Sequence, residues 1–456
     1  MGLTTPLLAA LLLLAVQLVR CLTSPLRHVP GPMASGFTSL VLRWKEMTLS
    51  RTLYVHELHR QYGPVVRLAP DEVSFTSWAA LKEIYCSGGS GYDKTEFYDM
   101  FQVFGRRTMF TQLNKADHAK RKRLLADRYA NSNVLKSESL EGIKERAARF
   151  VQRCASAPAG VADIYDDEEM MHQVAADDSS QNRLIGFYAP FLHLLFSKVI
   201  TLFVKPRETP LADNYVLEKS SLGGYAEFAL MSRLGEKSDQ LDPVGKASEC
   251  LDHMAAGIDT TGDGLCFLMW ELSQPRSLHV QRRLAQELRE NPDAANDQLP
   301  FLDAVVWEGL RCFPPIPMSL PRYVPSGGRS IDGFWIPENT KVGCQAYSVQ
   351  RLNADVFPEP DSFHPDRWLD SDGDAERKRL LFAFSNGGRG CIGKHLALAE
   401  MKTLLRSVYS AFSTTANSAT TEELMALSEQ LISARPLGQN CHLEFHPLET
   451  AEPSKE

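Results

Sequence analysis

Between Phe384 and Gly393 a single cysteine, Cys391, lies among Gly387, Gly388, Gly390 and Gly393, with Arg389 two residues before it and the helix-forming run His395–Glu400 after it. A sulfur that must approach a flat metal macrocycle needs a backbone free to take positive φ, which glycine supplies. It also needs backbone N–H groups turned toward its negative charge. The planar fork of Arg389 suits a carboxylate on the same ligand. Two other readings fit the same loop. Gly388, Gly390 and Gly393 follow the apolar run Leu380–Phe384 and spell a dinucleotide-binding turn. Such a turn calls for an acid about twenty residues on, and Ser407–Asn417 offers no Asp or Glu. A buried structural cysteine is the remaining alternative.

Two further constellations carry chemistry or its support. Glu308 and Arg311 stand one turn apart on a helix face, after the apolar run Leu302–Val306 and before the helix-stopping Phe313-Pro314-Pro315. That setting predicts a buried pair, which needs further partners. Arg367, in Phe363-His364-Pro365-Asp366-Arg367-Trp368, is the candidate third member. Upstream, Ala255-Ala256-Gly257-Ile258-Asp259-Thr260-Thr261 lies inside a helical stretch of roughly residues 245–272. Glycine and β-branched threonine are weak choices for a helix interior. An acid beside an alcohol can pass protons.

The elements that must hold these groups are mostly helical. The chain has 456 residues, 44% hydrophobic and 23% charged, which provides ample core and no disorder signature. Its net charge of −7 gives no reason to expect nucleic-acid binding. Nine cysteines without paired spacing, and no Asn-x-Ser/Thr acceptor, point to a reducing, cytosol-facing location. Tyr62–Phe75 reads as a hairpin, and helical periodicity dominates from Leu81 to Glu308. A second β-rich patch, Tyr323–Val342, carries turn signals at Gly327-Gly328 and Asp332-Gly333. Gly309 sits in mid-helix, where glycine costs up to about 1 kcal/mol relative to alanine. His442 and His446 have helical metal spacing but fall in an alternating strand pattern, so no metal is assigned to them.

Phe384, Gly387, Arg389, Cys391 and Gly393 match the pattern Phe-x-x-Gly-x-Arg-x-Cys-x-Gly, and the chain is identified on it as a member of the cytochrome P450 superfamily, the heme-thiolate monooxygenases. The resemblance covers Leu40 to His446. It implies a mainly α fold with small β-sheets, with heme b as cofactor and Cys391 as axial ligand to its iron. Arg389 and Arg322 would meet the heme propionates. His118 stands where many members carry tryptophan and Lys122 where they carry arginine, which leaves the third propionate contact open among Lys122, Arg121 and Arg123. Phe384 would line the heme site. Gly257 would leave room for dioxygen while Asp259 and Thr260 supply protons, and Glu308, Arg311 and Arg367 would form a structural network behind the heme. The basic run Lys120–Arg123 is either a solvated face or a docking site for an acidic reductase. The region from Ala130 to Ser248, which builds the lid in this family, is short here.

The resemblance also implies an NADPH-dependent P450 reductase as electron donor, with cytochrome b5 as a further candidate. Arg60–Arg67 and Lys94–Tyr98 are most similar to filamentous fungal members of secondary metabolism. The pocket walls expected from Phe101–Thr111, the helix around Ala255, Ile316–Leu320 and Leu431-Ile432 are largely apolar, as a lipophilic small-molecule substrate requires. The alternative is a heme lyase or isomerase acting on a peroxide without a reductase. Residues 1–19 carry no charge and Arg20 and Arg27 follow, a pattern that predicts a single-pass anchor in the endoplasmic reticulum with a cytosolic catalytic domain. The expected organisation is an anchor over 1–19, a proline-rich hinge over 20–39, the catalytic domain over 40–446 and a polar tail over 447–456.

Overall fold

The computed structural model describes residues 4–165, 180–200, 210–222, 224–236 and 241–448. The expected hairpin forms from Val65–Ala69 and Glu72–Phe75, with Val65 opposite Phe75. Glu72–Phe75 runs parallel to Lys341–Cys344, which pairs antiparallel with Arg322–Tyr323. Asp93–Lys94 completes this five-stranded sheet along the far side of Arg322–Tyr323. The first strand is buried on both faces, so it reads as a continuous apolar run broken only by Arg67. Register has a consequence for the site: Lys94 lies directly opposite Arg322. Like charges facing across a sheet are unfavourable. The second β-rich patch contains a separate hairpin, Arg329–Ile331 with Phe334–Ile336, turning through Asp332 and Gly333 at φ 49° and 80°.

One helix axis dominates the interior. Asp242 caps it by accepting from Gly245 N at 2.8 Å, with Pro243 at its first position. It runs as an α-helix over Pro243–Gly257, widens to a π-helical turn over Ile258–Gly262, and resumes over Asp263–Leu272. The continuous helix expected over 245–272 is therefore interrupted where its weak helix formers fall. Thr260 Oγ1 donates to Ala256 O at 2.6 Å inside the widened turn. π-turns of this kind concentrate at functional positions.

Every residue of Asp263–Leu272 is buried. It packs with Leu278–Glu290, Pro300–Cys312 and Lys394–Ala411 into the main core, which Phe412–Ala416 and His442–Pro447 close from one side. Gly309 has its explanation here. A Cβ at Gly309 would meet the Leu268 side chain at 2.8 and 2.9 Å, so glycine sets how closely the two helices approach. The lid region is helical over Ser180–Tyr188, Pro190–Ile200, Pro210–Ser221 and Leu230–Glu236. Residues 166–179, part of the acidic segment noted in the sequence, lie outside the described residues.

At the N-terminus Thr4–Thr23 is a helix and Pro25–Pro32 leads away from it without helix. Most side chains of the apolar first half, on which the anchor expectation falls, lie outside the described residues. Among the described residues no helix is long and apolar enough to cross a membrane.

Gly309→Ala is expected to destabilise the protein by about 1–3 kcal/mol through overpacking against Leu268, despite alanine's better helix propensity. Urea denaturation of the variant checks this; a stabilised variant would show that the helices part without strain.

Candidate active site

The loop Gly387–Arg389 is a single tight turn docked on the C-terminal end of helix Trp78–Cys86. Gly387 has φ 70°, and a Cβ there would stand 2.0 Å from Tyr85 O. Only glycine satisfies both conditions. Phe384 O accepts from Cys391 N at 2.9 Å and folds the loop back on itself. The Cys391 sulfur accepts from the backbone N–H groups of Gly393 and Lys394, at the first turn of helix Lys394–Ala411. Cys391 is accessible yet lies deep in the protein, because its exposure is to an internal cavity of about 600 Å³. Burial pushes its thiol pKa above the ordinary value, while the Gly393 N–H, the Lys122 ammonium and the Lys394 N–H pull it back. A cation at the sulfur would complete the deprotonation.

Positive charge collects at one end of this cavity. Arg322, Arg389 and Lys94 all line it and are all buried. Arg389 bonds Asp93 Oδ1 at 3.0 Å and Leu113 O at 2.9 Å, and its buried Nε has no partner among the described residues. Arg322 Nη1 donates to Tyr98 OH at 2.7 Å and to the Leu320 and Pro321 carbonyls. Lys94 donates to Phe110 O, and its ammonium lies 4.3 Å from the Tyr98 ring centroid and 4.6 Å from that of Phe110. Burial, then Arg322 and Arg389, hold the Lys94 pKa well below the ordinary lysine value. Burial and Arg322 bring Arg389 down to about 10. The cluster is short of negative charge.

His118 lines the cavity, but burial and then Lys94, Arg389 and Lys122 lower its pKa to about 3. It is a neutral imidazole that can donate an N–H. Lys122 departs from the expected role. Its ammonium donates to Gly388 O at 3.0 Å and Gly390 O at 3.1 Å and is not part of the cavity wall. Arg121 pairs with buried Glu249 at 3.0 Å, and Arg123 is exposed. Lys94, and none of Lys122, Arg121 and Arg123, lines the cavity beside Arg322 and Arg389. Only the strand register reveals it, since nothing local distinguishes Lys94 from a surface lysine.

Ala255, Ala256, Gly257, Asp259 and Thr260 of the interior helix line the same cavity. A Cβ on Gly257 would meet nothing within 4 Å, so its missing side chain is open space. The expected apolar walls are present: Phe101, Phe104, Met109, Phe110, Ile316, Met318, Leu431 and Ile432 line the cavity with Phe384. Arg183, Asp213, Gln430 and Ser433 add polar positions that the sequence did not disclose.

Glu308, Arg311 and Arg367 come together as expected, the first two fully buried and Arg367 reaching in from a partly buried position. Arg311 meets Glu308 in a fork at 2.9 and 2.9 Å, and Arg367 Nε reaches Glu308 at 3.0 Å. Trp368 Nε1 at 2.8 Å and His364 N at 2.9 Å complete the carboxylate's shell. Burial alone would raise the Glu308 pKa, but Arg311, Arg367 and the His364 N–H outweigh it and hold it below the ordinary value. Gln350, which the sequence did not disclose, carries the network onward. Its amide donates to Arg311 O at 2.8 Å and accepts from Phe382 N at 2.9 Å, just before the cysteine loop.

A cysteine loop, a cationic end and a widened helix lining one cavity are the parts of a heme-thiolate enzyme. The model of the cytochrome P450 family matches residues 195–441, and the chain belongs to that family. It is similar to the cytochrome P450 monooxygenase stcB of Emericella nidulans, at 27% identity over 92% of this chain and 88% of the relative. The P450 monooxygenase orf2 of Aspergillus niger is 28% identical over 97% of this chain and 98% of its own length. Pisatin demethylase of Fusarium vanettenii is 28% identical over 85% and 84%. The protein is an oxidoreductase of the monooxygenase class. Heme b is the family's cofactor, and the residues fit it: a sulfur facing the cavity, and buried cations in excess with one guanidinium nitrogen unspent.

Glu308→Ala strands Arg311 and Arg367 without their carboxylate, a loss that typically costs about 3–5 kcal/mol. Chemical unfolding together with heme content of the purified variant measures it. Near-normal values for both would show that Arg311's carbonyl bonds to Pro360 and Ser362 suffice.

Proposed function

We propose that this enzyme inserts one oxygen atom from O2 into a lipophilic small molecule, an intermediate of fungal secondary metabolism, using electrons from an NADPH-dependent flavoprotein reductase. The observation that carries the reading is that two features line one largely apolar cavity: the Cys391 sulfur with its two N–H donors, and the Asp259–Thr260 turn. Cys391 would hold the iron, and Arg322, Arg389 and Lys94 would hold the propionates with help from the His118 N–H. When bound there, heme supplies the oxidation chemistry. Asp259 and Thr260 hold and pass the protons that dioxygen reduction consumes. The aromatic and aliphatic walls exclude water and orient the substrate. The relatives are fungal P450 monooxygenases, and pisatin demethylase is a family member named for an organic substrate.

Electron supply is read from the basic helix Lys115–Leu125, where Lys120 and Arg123 face solvent for an acidic reductase. Membrane attachment is read from the uncharged N-terminus together with exposed Phe191, Leu192, Leu194, Leu195 and Phe196 on Pro190–Ile200. On this reading the catalytic domain faces the cytosol at the endoplasmic reticulum.

Reduced enzyme under carbon monoxide is expected to absorb at the position typical of thiolate ligation. Cys391→Ser should lose this band, whereas Thr260→Ala should keep it while diverting NADPH-derived electrons to hydrogen peroxide. A normal band in the first variant, or unchanged coupling in the second, overturns the respective role. Deleting residues 1–19 should weaken membrane association without loss of the band. Protease added to sealed microsomes should digest the catalytic domain without detergent, and full protection would place it in the lumen.

A further inference from the structure

Two lysine ammoniums flank the cysteine sulfur from two different elements, and the reading above gives neither a task. Lys122 comes from the basic helix Lys115–Leu125 and Lys394 from the first turn of Lys394–Ala411. Both are half-buried. Lys122 is fastened to the carbonyls of Gly388 and Gly390, which brackets the loop on the N-terminal side of the sulfur. Lys394 is fastened differently. Its ammonium lies 5.5 Å from the Trp307 ring centroid and 5.7 Å from that of Phe384, a cage of two aromatic faces. Its own backbone N–H is one of the two donors to the sulfur. Among the described residues neither ammonium has a carboxylate within ion-pair distance. The charged group that acts on each is the Cys391 sulfur itself.

A half-buried ammonium held between two rings with no counter-ion is costly unless an anion is nearby. The aromatic cage explains how Lys394 is kept in place. It does not explain why a cation is kept there at all. A thiolate at Cys391 does.

We propose that Lys122 and Lys394 are positioning residues that tune the axial thiolate, drawing negative charge from the sulfur and thereby setting the reduction potential of the iron it binds. The inference rests on Cys391 being the axial ligand. It extends the backbone N–H donation to the sulfur by two side-chain charges that the loop motif does not specify. Physically, a fixed positive charge in a poorly screened site favours the oxidation state with one more electron. Charges and hydrogen bonds around a ligand sulfur are among the levers a protein has on heme electronics. Lys394 exerts its effect through charge, since its ammonium makes no hydrogen bond to the protein among the described residues. Lys122 combines charge with a clamp on the loop.

The test is a redox titration of holoenzyme carrying Lys394→Met, which keeps the length and apolar stem of the side chain and removes its charge. The midpoint potential should move to a more negative value, and the C–O stretch of the reduced carbon monoxide complex should fall in frequency as the sulfur donates more strongly. Lys394→Arg should restore both toward wild type, and Lys122→Met should shift the potential in the same direction. The wild-type band position reports separately on the ligand: without thiolate absorption in wild type the axial-ligand reading fails, and this inference fails with it. With the band intact, an unchanged potential in Lys394→Met overturns the inference alone. If Lys394→Met loses the thiolate band while Lys394→Arg keeps it, the charge is required and the inference stands. If both lose it, the side chain acts through its shape and the inference falls.

Discussion

Lys94, Arg322 and Arg389 are held together away from water, with too little negative charge nearby to balance them. Strand register fixes the first two, because Lys94 is paired directly opposite Arg322. The cysteine loop brings the third, and against the three cations stand Asp93, paired with Arg389, and Asp252, which acts on Lys94. A bare protein gains nothing from this arrangement, since buried like charges oppose folding. It becomes favourable when two carboxylates of a ligand enter. The same constraint explains the neutral state of His118, whose charged form would add a further cation to the group. The cavity is therefore shaped by electrostatics at one end, by a sulfur on one face and by apolar side chains elsewhere.

Two rigid devices keep these ends in register. Behind the site, Glu308 gathers Arg311, Arg367, Trp368 and the His364 N–H, and Gln350 links that knot to Phe382 ahead of the cysteine loop. A buried charge cluster of this kind is weak as a source of stability and strong as a geometric clamp, because each member is destabilised if another leaves. Across the cavity, the π-turn over Ile258–Gly262 is tolerated because its flanking halves are well anchored, by the Asp242 cap at one end and by complete burial of Asp263–Leu272 at the other.

What could be read from the chain alone follows from locality. Cys391, Arg389, Gly387 and Phe384 act within one loop, and Glu308 with Arg311 within one helical turn, so their spacing records their geometry. The hairpin at Val65–Phe75 and the strand around His442 were legible for the same reason. Lys94, Gln350 and Trp368 act through partners far away in sequence, which no local pattern encodes. Lys122 was placed by family position and turned out to hold the loop's carbonyls, because a lysine ammonium is compact and takes the nearest acceptors. Gly309 looked like a local defect, and only the packing of Leu268 shows it to be a spacer.

The pairing of Lys94 with Arg322 also bears on the order in which the molecule is assembled. Lys94 emerges early from the ribosome and Arg322 late, so their strands meet only once most of the polypeptide exists. Closing so long a loop is entropically unfavourable, and here the strands that meet repel each other as well. A dianionic ligand bound beside the pair would neutralise the repulsion and, by mass action, favour the closed sheet.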